Sequence, residues 1–252
     1  MPEFRRQPAP VFHSVAIDLF GPLQYRDMVK KRVTGKGWGV VFVCMHTSAV
    51  HLELTESYST DSFLMAFRRF LCARGTPRRI FSDRGSQLVE AAKEVGEWNF
   101  QAIVRWGEMR KMEWNLVPTG APWQNGVAER MVGLVKRVLE DTLKDKVCSF
   151  NELNTILDEA ALIVNSRPIG ITLCRKGDLE IGGPITPLHL MLGRSTVEVP
   201  DVCNTKANLL ARLTFVQDVK QTFWTTWCHK AWIGSTNGGG SSGICALEMW
   251  CS

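Results

Sequence analysis

Long apolar runs are missing from this sequence of 252 residues, and so is every local pattern that holds zinc. The nearest candidate for a membrane span, Val40 to Met45, is strand-sized and far short of the roughly 18 residues a bilayer requires. A spanning helix is excluded, and no membrane partner is expected. The start, Met1-Pro2-Glu3-Phe4-Arg5-Arg6, has no apolar stretch of the kind that forms a secretory leader. An intracellular, reducing compartment is therefore expected. Eight cysteines are scattered, with no Cys-x-x-Cys and no His and Cys pairs at zinc-finger spacing, so they read as buried thiols. A strong excess of either charge is also lacking. The 30 Lys and Arg against 25 Asp and Glu give +5, which suits a polyanionic partner without requiring one. Hydrophobic content of 45% and charged content of 22% sit near globular averages and suggest neither disorder nor a fibrous repeat, and the length can bury a core in one or two domains.

What is present reads as alternating strands and helices. Residues 1–10, basic and carrying Pro2, Pro8 and Pro10, form a linker by composition. Val11 to Phe20, Trp38 to His46 and His51 to Thr55 are β-branched and aromatic, as three sequential strands would be. Thr60 and Asp61 are candidate caps for a helix over Ser62 to Ala73, where Phe63, Phe67 and Phe70 recur at helical spacing. Arg79 to Ser82 and Met112 to Val117 read as further strands, separated by a helical stretch that begins around Gln87. Pro118 to Pro122 is a loop, the longest helix runs from Gln124 to about Lys144, and another spans Asn151 to Asn165. The order predicts an α/β fold, a mixed five-stranded sheet flanked by helices. Beyond Pro168 the periodicity fades, and Asn237 to Gly243 is a flexible linker by composition.

Three acids are candidates for the chemistry. Asp18 interrupts the apolar run Val15-Ala16-Ile17 and Leu19-Phe20, where a bare charge is costly. Asp83 follows a strand, and Glu129 opens the longest helix. Taken singly, Asp83-Arg84-Gly85 reads equally as a turn and Glu129 as a solvated helix residue. Taken together, three carboxylates about 4 Å apart would repel by roughly 4 kcal/mol per pair at an effective dielectric near 20, so such a cluster requires cations. Ligands that are all oxygen favour Mg²⁺ or Mn²⁺, and two such ions suit in-line displacement at phosphorus.

The surrounding segments carry a resemblance. Ala16-Ile17-Asp18-Leu19-Phe20-Gly21-Pro22-Leu23, Phe81-Ser82-Asp83-Arg84-Gly85-Ser86-Gln87-Leu88 and Ala121-Pro122-Trp123-Gln124-Asn125-Gly126-Val127-Ala128-Glu129-Arg130 resemble, in order, the three acidic motifs of retroviral integrases and related transposases. Val164-Asn165-Ser166-Arg167-Pro168 and Ile185-Thr186-Pro187-Leu188-His189-Leu190-Met191-Leu192-Gly193-Arg194 extend the likeness to integrases of Pao/BEL-type LTR retrotransposons, over roughly residues 11–228. The resemblance implies an RNase H-like fold in which Asp18, Asp83 and Glu129 form the catalytic, metal-binding triad for two Mg²⁺ ions, with Mn²⁺ as a substitute. The implied domains are a catalytic core over 11–170, a C-terminal extension over 171–232 and a Gly/Ser-rich tail over 233–252. The second and third acids lie 129 − 83 = 46 positions apart, a spacing similar to that of the retrotransposon group, with the added length expected in 90–111. Arg84 departs from the Asn or His usual after the second Asp, and Asn125 to Ala128 depart from a pattern of two glycines and a tryptophan.

The implied activity is 3′-end processing and strand transfer of retroelement DNA into a target duplex. Thr119, Gln124 and Asn125 are implied DNA-contacting loop residues, and Lys136 and Arg137 phosphate contacts on the catalytic helix. A solvated helix face is the competing reading of the last two. Double-stranded DNA is the implied partner, a homo-oligomer the implied assembly of the full-length form, and the nucleus, reached through the cytoplasm, the implied destination. The zinc-binding domain of full-length integrases is not recognised upstream, so a fragment is expected. Two other functions fit the residues: nuclease-only chemistry on the same fold, and a DNA-binding or assembly module that has lost activity. The pairs Arg68-Arg69 and Arg78-Arg79 are expected to face solvent, and Trp106, Trp114 and Trp123 to be core or interface aromatics.

Overall fold

The computed structural model describes residues 9–26, 34–82, 112–116, 126–144, 146–171, 184–194 and 211–236. The chain divides into two compact units, Met1–Gly133 with Val147–Leu157, and Leu134–Lys146 with Asp158–Ser252. Among the described residues no helix is long and apolar enough to cross a membrane.

The first unit is built on β1 (Ser14–Arg26), β2 (Thr34–Cys44), β3 (Val50–Thr55), α1 (Thr60–Arg74), β4 (Arg79–Ser82) and β5 (Glu113–Leu116). The strands lie in the order β3-β2-β1-β4-β5, with β2 antiparallel to both neighbours and β4 and β5 parallel to β1. This is the mixed α/β, RNase H-like arrangement expected from the sequence. A sixth strand, β6 (Cys148–Ser149), pairs with the far end of β1 and was not foreseen, because two residues carry no periodicity. Two helices follow β5, α2 (Gly126–Leu143) and α3 (Phe150–Asn165), and the division between units falls within each.

Aromatic packing joins the sheet to its helices. Phe42 of β2 stacks on Phe70 of α1 at 4.3 Å and 4°, and Phe12 meets Phe70 edge-on at 5.5 Å. On the other side of the sheet the Tyr25 ring lies 5.3 Å from Phe150. Val40 to Cys44 are fully buried, as both faces of an inner strand should be.

Two boundaries differ from expectation. The first strand does not end at Phe20: it passes through a bulge, where Phe20 pairs with Gly39 and Leu23 with Gly37, and continues to Arg26. Pro22 is tolerated because it sits in the bulge, and Gly21, at φ 127°, adopts a conformation that disfavours a Cβ. The cap of α1 is Ser59, whose hydroxyl accepts the Ser62 N–H at 3.3 Å, rather than Thr60 or Asp61.

An ion cluster fastens α1 to the edge strand. Arg69 donates to Glu53 at 2.6 Å and to the Leu54 carbonyl at 2.8 Å, and His51 contacts Glu53 at 3.0 Å. Burial pushes the Glu53 carboxyl up, but hydrogen bonds from His51 and Arg69, with the Arg69 charge, more than offset this and hold it below the ordinary carboxylate range. Arg68 and Arg69 are exposed as expected, although Arg69 also joins this cluster, whereas Arg78 and Arg79 are half-buried, with Arg79 3.7 Å from Glu113. Cys44 and Cys148 are buried as expected, whereas Cys72 is exposed.

The second unit contains β7 (Gly170–Ile171) paired with β8 (Pro184–Ile185), α4 (Pro187–Leu192) and α5 (Ala211–Thr236). Thr186 caps α4 by accepting the His189 N–H at 3.0 Å. The faded periodicity after Pro168 conceals α5, which buries Val216, Val219, Phe223 and Trp227 and runs through Thr236, into the segment 233–252 expected as a tail. Lys230 of α5 forms an ion pair with Asp141 and donates to the Arg137 carbonyl at 3.3 Å. Its hydrogen bond and charge hold the Asp141 carboxyl below the ordinary range. Arg167 is buried, which lowers its guanidinium to about 10, and donates to the Val164 carbonyl at 2.6 Å.

Removing the stacked ring should leave a cavity in the first unit. Phe70→Ala is expected to cost about 3–5 kcal/mol, while Met65→Ala, on an exposed side chain of the same helix, should stay within about 0.5 kcal/mol. Chemical denaturation measures both, and equal effects would contradict this packing.

Glu53 makes stability depend on acid. Its folded pKa lies below its unfolded one, so its contribution is complete above the ordinary carboxylate pKa and disappears as pH falls through the folded value. Glu53→Gln should flatten the acid limb of a stability-against-pH curve. An unchanged limb would show that the cluster is not coupled to folding.

Candidate active site

Asp18 lies on β1, the strand hydrogen-bonded on both sides, opposite Val41 of β2. It is half-buried, and its Oδ1 accepts the Leu19 backbone N–H at 2.8 Å. The residue before it, Ile17, is buried and pairs with Ser82 of β4. Ser82 immediately precedes Asp83, so the fold sets the neighbours of the two acids side by side. Asp83 itself lies outside the described residues.

The end of β4 is fixed from its other side. Ser82 pairs with Leu116 of β5, and its hydroxyl accepts the Trp114 indole N–H at 2.9 Å. The Trp114 ring packs 5.7 Å from Phe67 and 6.2 Å from Phe63, which ties β5 to α1. Trp114 is therefore a packed aromatic, as expected, and it also holds Ser82, the residue before Asp83 in sequence. The sequence carries a faint signal for this, since a tryptophan in a short strand needs an acceptor for its N–H when it is buried.

Glu129 belongs to α2, but its side chain lies outside the described residues, as do Thr119, Gln124, Asn125, Trp106 and Trp123. Among the described residues no group of three His, Cys, Asp or Glu side chains is placed to hold a metal ion, and only Asp18 of the three expected ligands has a described side chain. Lys136 and Arg137 also lie on α2, the first half-buried and the second exposed. The structure thus pairs Ile17 with Ser82, the residues that precede Asp18 and Asp83 in sequence, and places Glu129, Lys136 and Arg137 on one helix.

Asp18, the one expected ligand with a described side chain, offers oxygen donors of the kind a hard cation takes. Half-buried beside buried Ile17, its carboxylate has lost part of its hydration, a cost that coordination to Mg²⁺ or Mn²⁺ would offset.

Neither a protein-family model nor a curated protein matches the chain. Among solved structures it is similar to the HTLV-2 integrase catalytic core domain in complex with magnesium, in a trimeric form, at 16% identity over 73% of this chain and 99% of that one, with a TM-score of 0.42. It is similar to the catalytic core domain of BIV integrase at 15% identity over 72% of this chain and 95% of that one, with a TM-score of 0.42. A third likeness is to the simian T-cell lymphotropic virus intasome in complex with PP2A regulatory subunit B56 gamma, at 12% identity over 81% of this chain and 62% of that one, with a TM-score of 0.44.

Proposed function

We propose that the chain is the catalytic core of an integrase of the Pao/BEL retrotransposon type, a polynucleotidyl transferase that processes the 3′ ends of element DNA and joins them to a target duplex. The observation that carries this reading is the pairing of Ile17 with Ser82, which sets Asp18 of the central strand beside the end of β4, where Asp83 follows. Three ordered acidic motifs in the sequence support it.

In this reading Asp18, Asp83 and Glu129 hold two Mg²⁺ ions, for which Mn²⁺ substitutes. Bound there, the ions supply activation of an attacking oxygen and neutralisation of a departing one at phosphorus. The chain supplies position. The Leu19 N–H orients the Asp18 carboxylate, and the Trp114 to Ser82 hydrogen bond steadies the strand end before Asp83. Water and then a DNA 3′-hydroxyl act as nucleophiles, so no covalent bond to the chain is required. Thr119, Gln124 and Asn125 contact the DNA end, and Lys136 and Arg137 contact its phosphates. The partners are double-stranded element ends and target DNA, held by a homo-oligomer of the full-length form in the nucleus.

The test incubates the chain with Mg²⁺ and a labelled, pre-cleaved DNA end. Joined product is expected, and Asp18→Asn, Asp83→Asn or Glu129→Gln should each abolish it while leaving the fold intact. Hydrolysis without joining would replace this reading with nuclease-only chemistry. DNA binding without any reaction would favour an inactive assembly module, and full activity in one variant would remove that carboxylate from the site.

Replacing Lys136 and Arg137 by Ala should weaken binding to all duplexes alike. The slope of log affinity against log salt should fall by about one for each lost contact. An unchanged slope would return both residues to a solvated face.

A further inference from the structure

The β1–β2 ribbon continues past both of its neighbours. β3 pairs with β2 only from Trp38 to Val43, and β4 pairs with β1 only from Ser14 to Ile17, whereas β1 and β2 remain paired as far as Arg26 and Thr34. β6 braces this extension by pairing with Tyr25 and Arg26. Ser149 of β6 is itself held by a reciprocal cap: its N–H donates to Glu152 at 2.7 Å, and the Glu152 N–H donates to its hydroxyl at 3.3 Å.

The register sorts the ribbon into two faces, because directly opposed residues share a face and alternate residues along a strand return to it. Leu23, Tyr25, Gly35 and Gly37 form one face, buried or half-buried, and it is continuous through the β2 partners with Phe20 and Asp18. Gln24, Arg26, Thr34 and Lys36 form the other, and all four are exposed. None is acidic, and among the described residues neither Arg26 nor Lys36 has an ion-pair partner. This differs from Arg69, Arg79 and Lys230, which are paired. Residues 27–33, which join the two strands in sequence, add Lys30, Lys31 and Arg32 to the net charge against one acid, Asp27.

We propose that this exposed ribbon face, Gln24, Arg26, Thr34 and Lys36, is a docking surface for the phosphate backbone of a nucleic-acid duplex, separate from the carboxylate site. Arg26 and Lys36 are diagonal neighbours across the ribbon, about 7–8 Å apart. That spacing lets the two long side chains reach neighbouring phosphates of one strand of a duplex. Gln24 and Thr34 supply neutral hydrogen-bonding groups between the cations. Farther along the same face Trp38 lies 5.6 Å from the ring of Tyr58, which is 47% exposed and carries a hydroxyl suited to phosphate. Lys36 stands five residues along β2 from Val41, the partner of Asp18, or about 17 Å, and on the opposite face of the sheet. A duplex seated on the ribbon is therefore not the stretch of DNA that reacts at Asp18. The choice of nucleic acid as partner rests on the function proposed above.

The test measures binding of the full chain to a fluorescent duplex, without divalent metal, across a salt series. Arg26→Glu with Lys36→Glu is compared with wild type and with the conservative Arg26→Lys with Lys36→Arg. Two lost contacts should lower the salt slope by about 1.8, so that affinity falls roughly 12-fold less between about 50 and 200 mM salt. The conservative variant should keep the wild-type slope, and thermal melting should match for all three. An unchanged slope in the charge-reversed variant overturns the proposal. So does loss of binding to phosphatidylserine vesicles with DNA binding intact, which would assign the face to a membrane. Because this readout involves no reaction, a chain that binds DNA through the ribbon but never joins it would sink the catalytic reading and leave this one standing. Joining activity with an unchanged slope would do the reverse.

Discussion

β1 is hydrogen-bonded along both edges, antiparallel to β2 and parallel to β4, and the placement of the candidate site depends on that double pairing. A strand held on one side can slip, and a slip of one residue would exchange the faces of every side chain on it. Here the aromatic side chains of α1 fill one face and the β4 partners fix the other edge, so Asp18 cannot leave its place without exposing Val15 and Ile17. A half-buried carboxylate fixed in this way carries a desolvation cost, which the Leu19 N–H offsets in part. In the proposed function a bound hard cation would compensate the rest.

The same strand serves two purposes in sequence. Its first half is core, ending at Asp18 to Phe20, and its second half, past the bulge, runs on beyond its pairing with β4. Gly39 shows how tightly the two are joined, since a Cβ there would meet the Phe20 ring at 2.1 Å, and the same relation holds between Gly35 and Tyr25 at 2.3 Å. The glycines of β2 thus let the β1 aromatics lie flat across the ribbon, which gives an inward face to a segment otherwise exposed.

Much of this was legible in the sequence where a single face is buried. Phe63, Phe67 and Phe70 marked α1, and Arg79 to Ser82 were placed as a strand with the bounds the structure gives. Legibility failed where local signals compete with tertiary ones. Gly21-Pro22 reads as a stop, yet pairing on both sides carries β1 through it. Ser57, Ser59, Thr60 and Asp61 are all plausible caps, and only geometry selects Ser59. Helix α5 was hidden because half-buried Phe215 and Trp224 and exposed Leu213 spread apolar residues around it, blurring the buried stripe of Val216, Val219, Phe223 and Trp227. At the site, Asp18 was legible as a charge in an apolar strand. The part played by Trp114 was not, because its acceptor is 32 residues away in sequence.

The central claim is that the carboxylates of Asp18, Asp83 and Glu129 act as one ligand set for hard divalent ions. Titration of the chain with Mn²⁺, followed by the loss of the free-ion electron paramagnetic resonance signal, addresses this without any DNA reaction. The account predicts that two ions are taken up per chain and that Asp18→Asn, with its fold intact by circular dichroism, loses specific uptake. Uptake by Asp18→Asn equal to that of the wild type would contradict it.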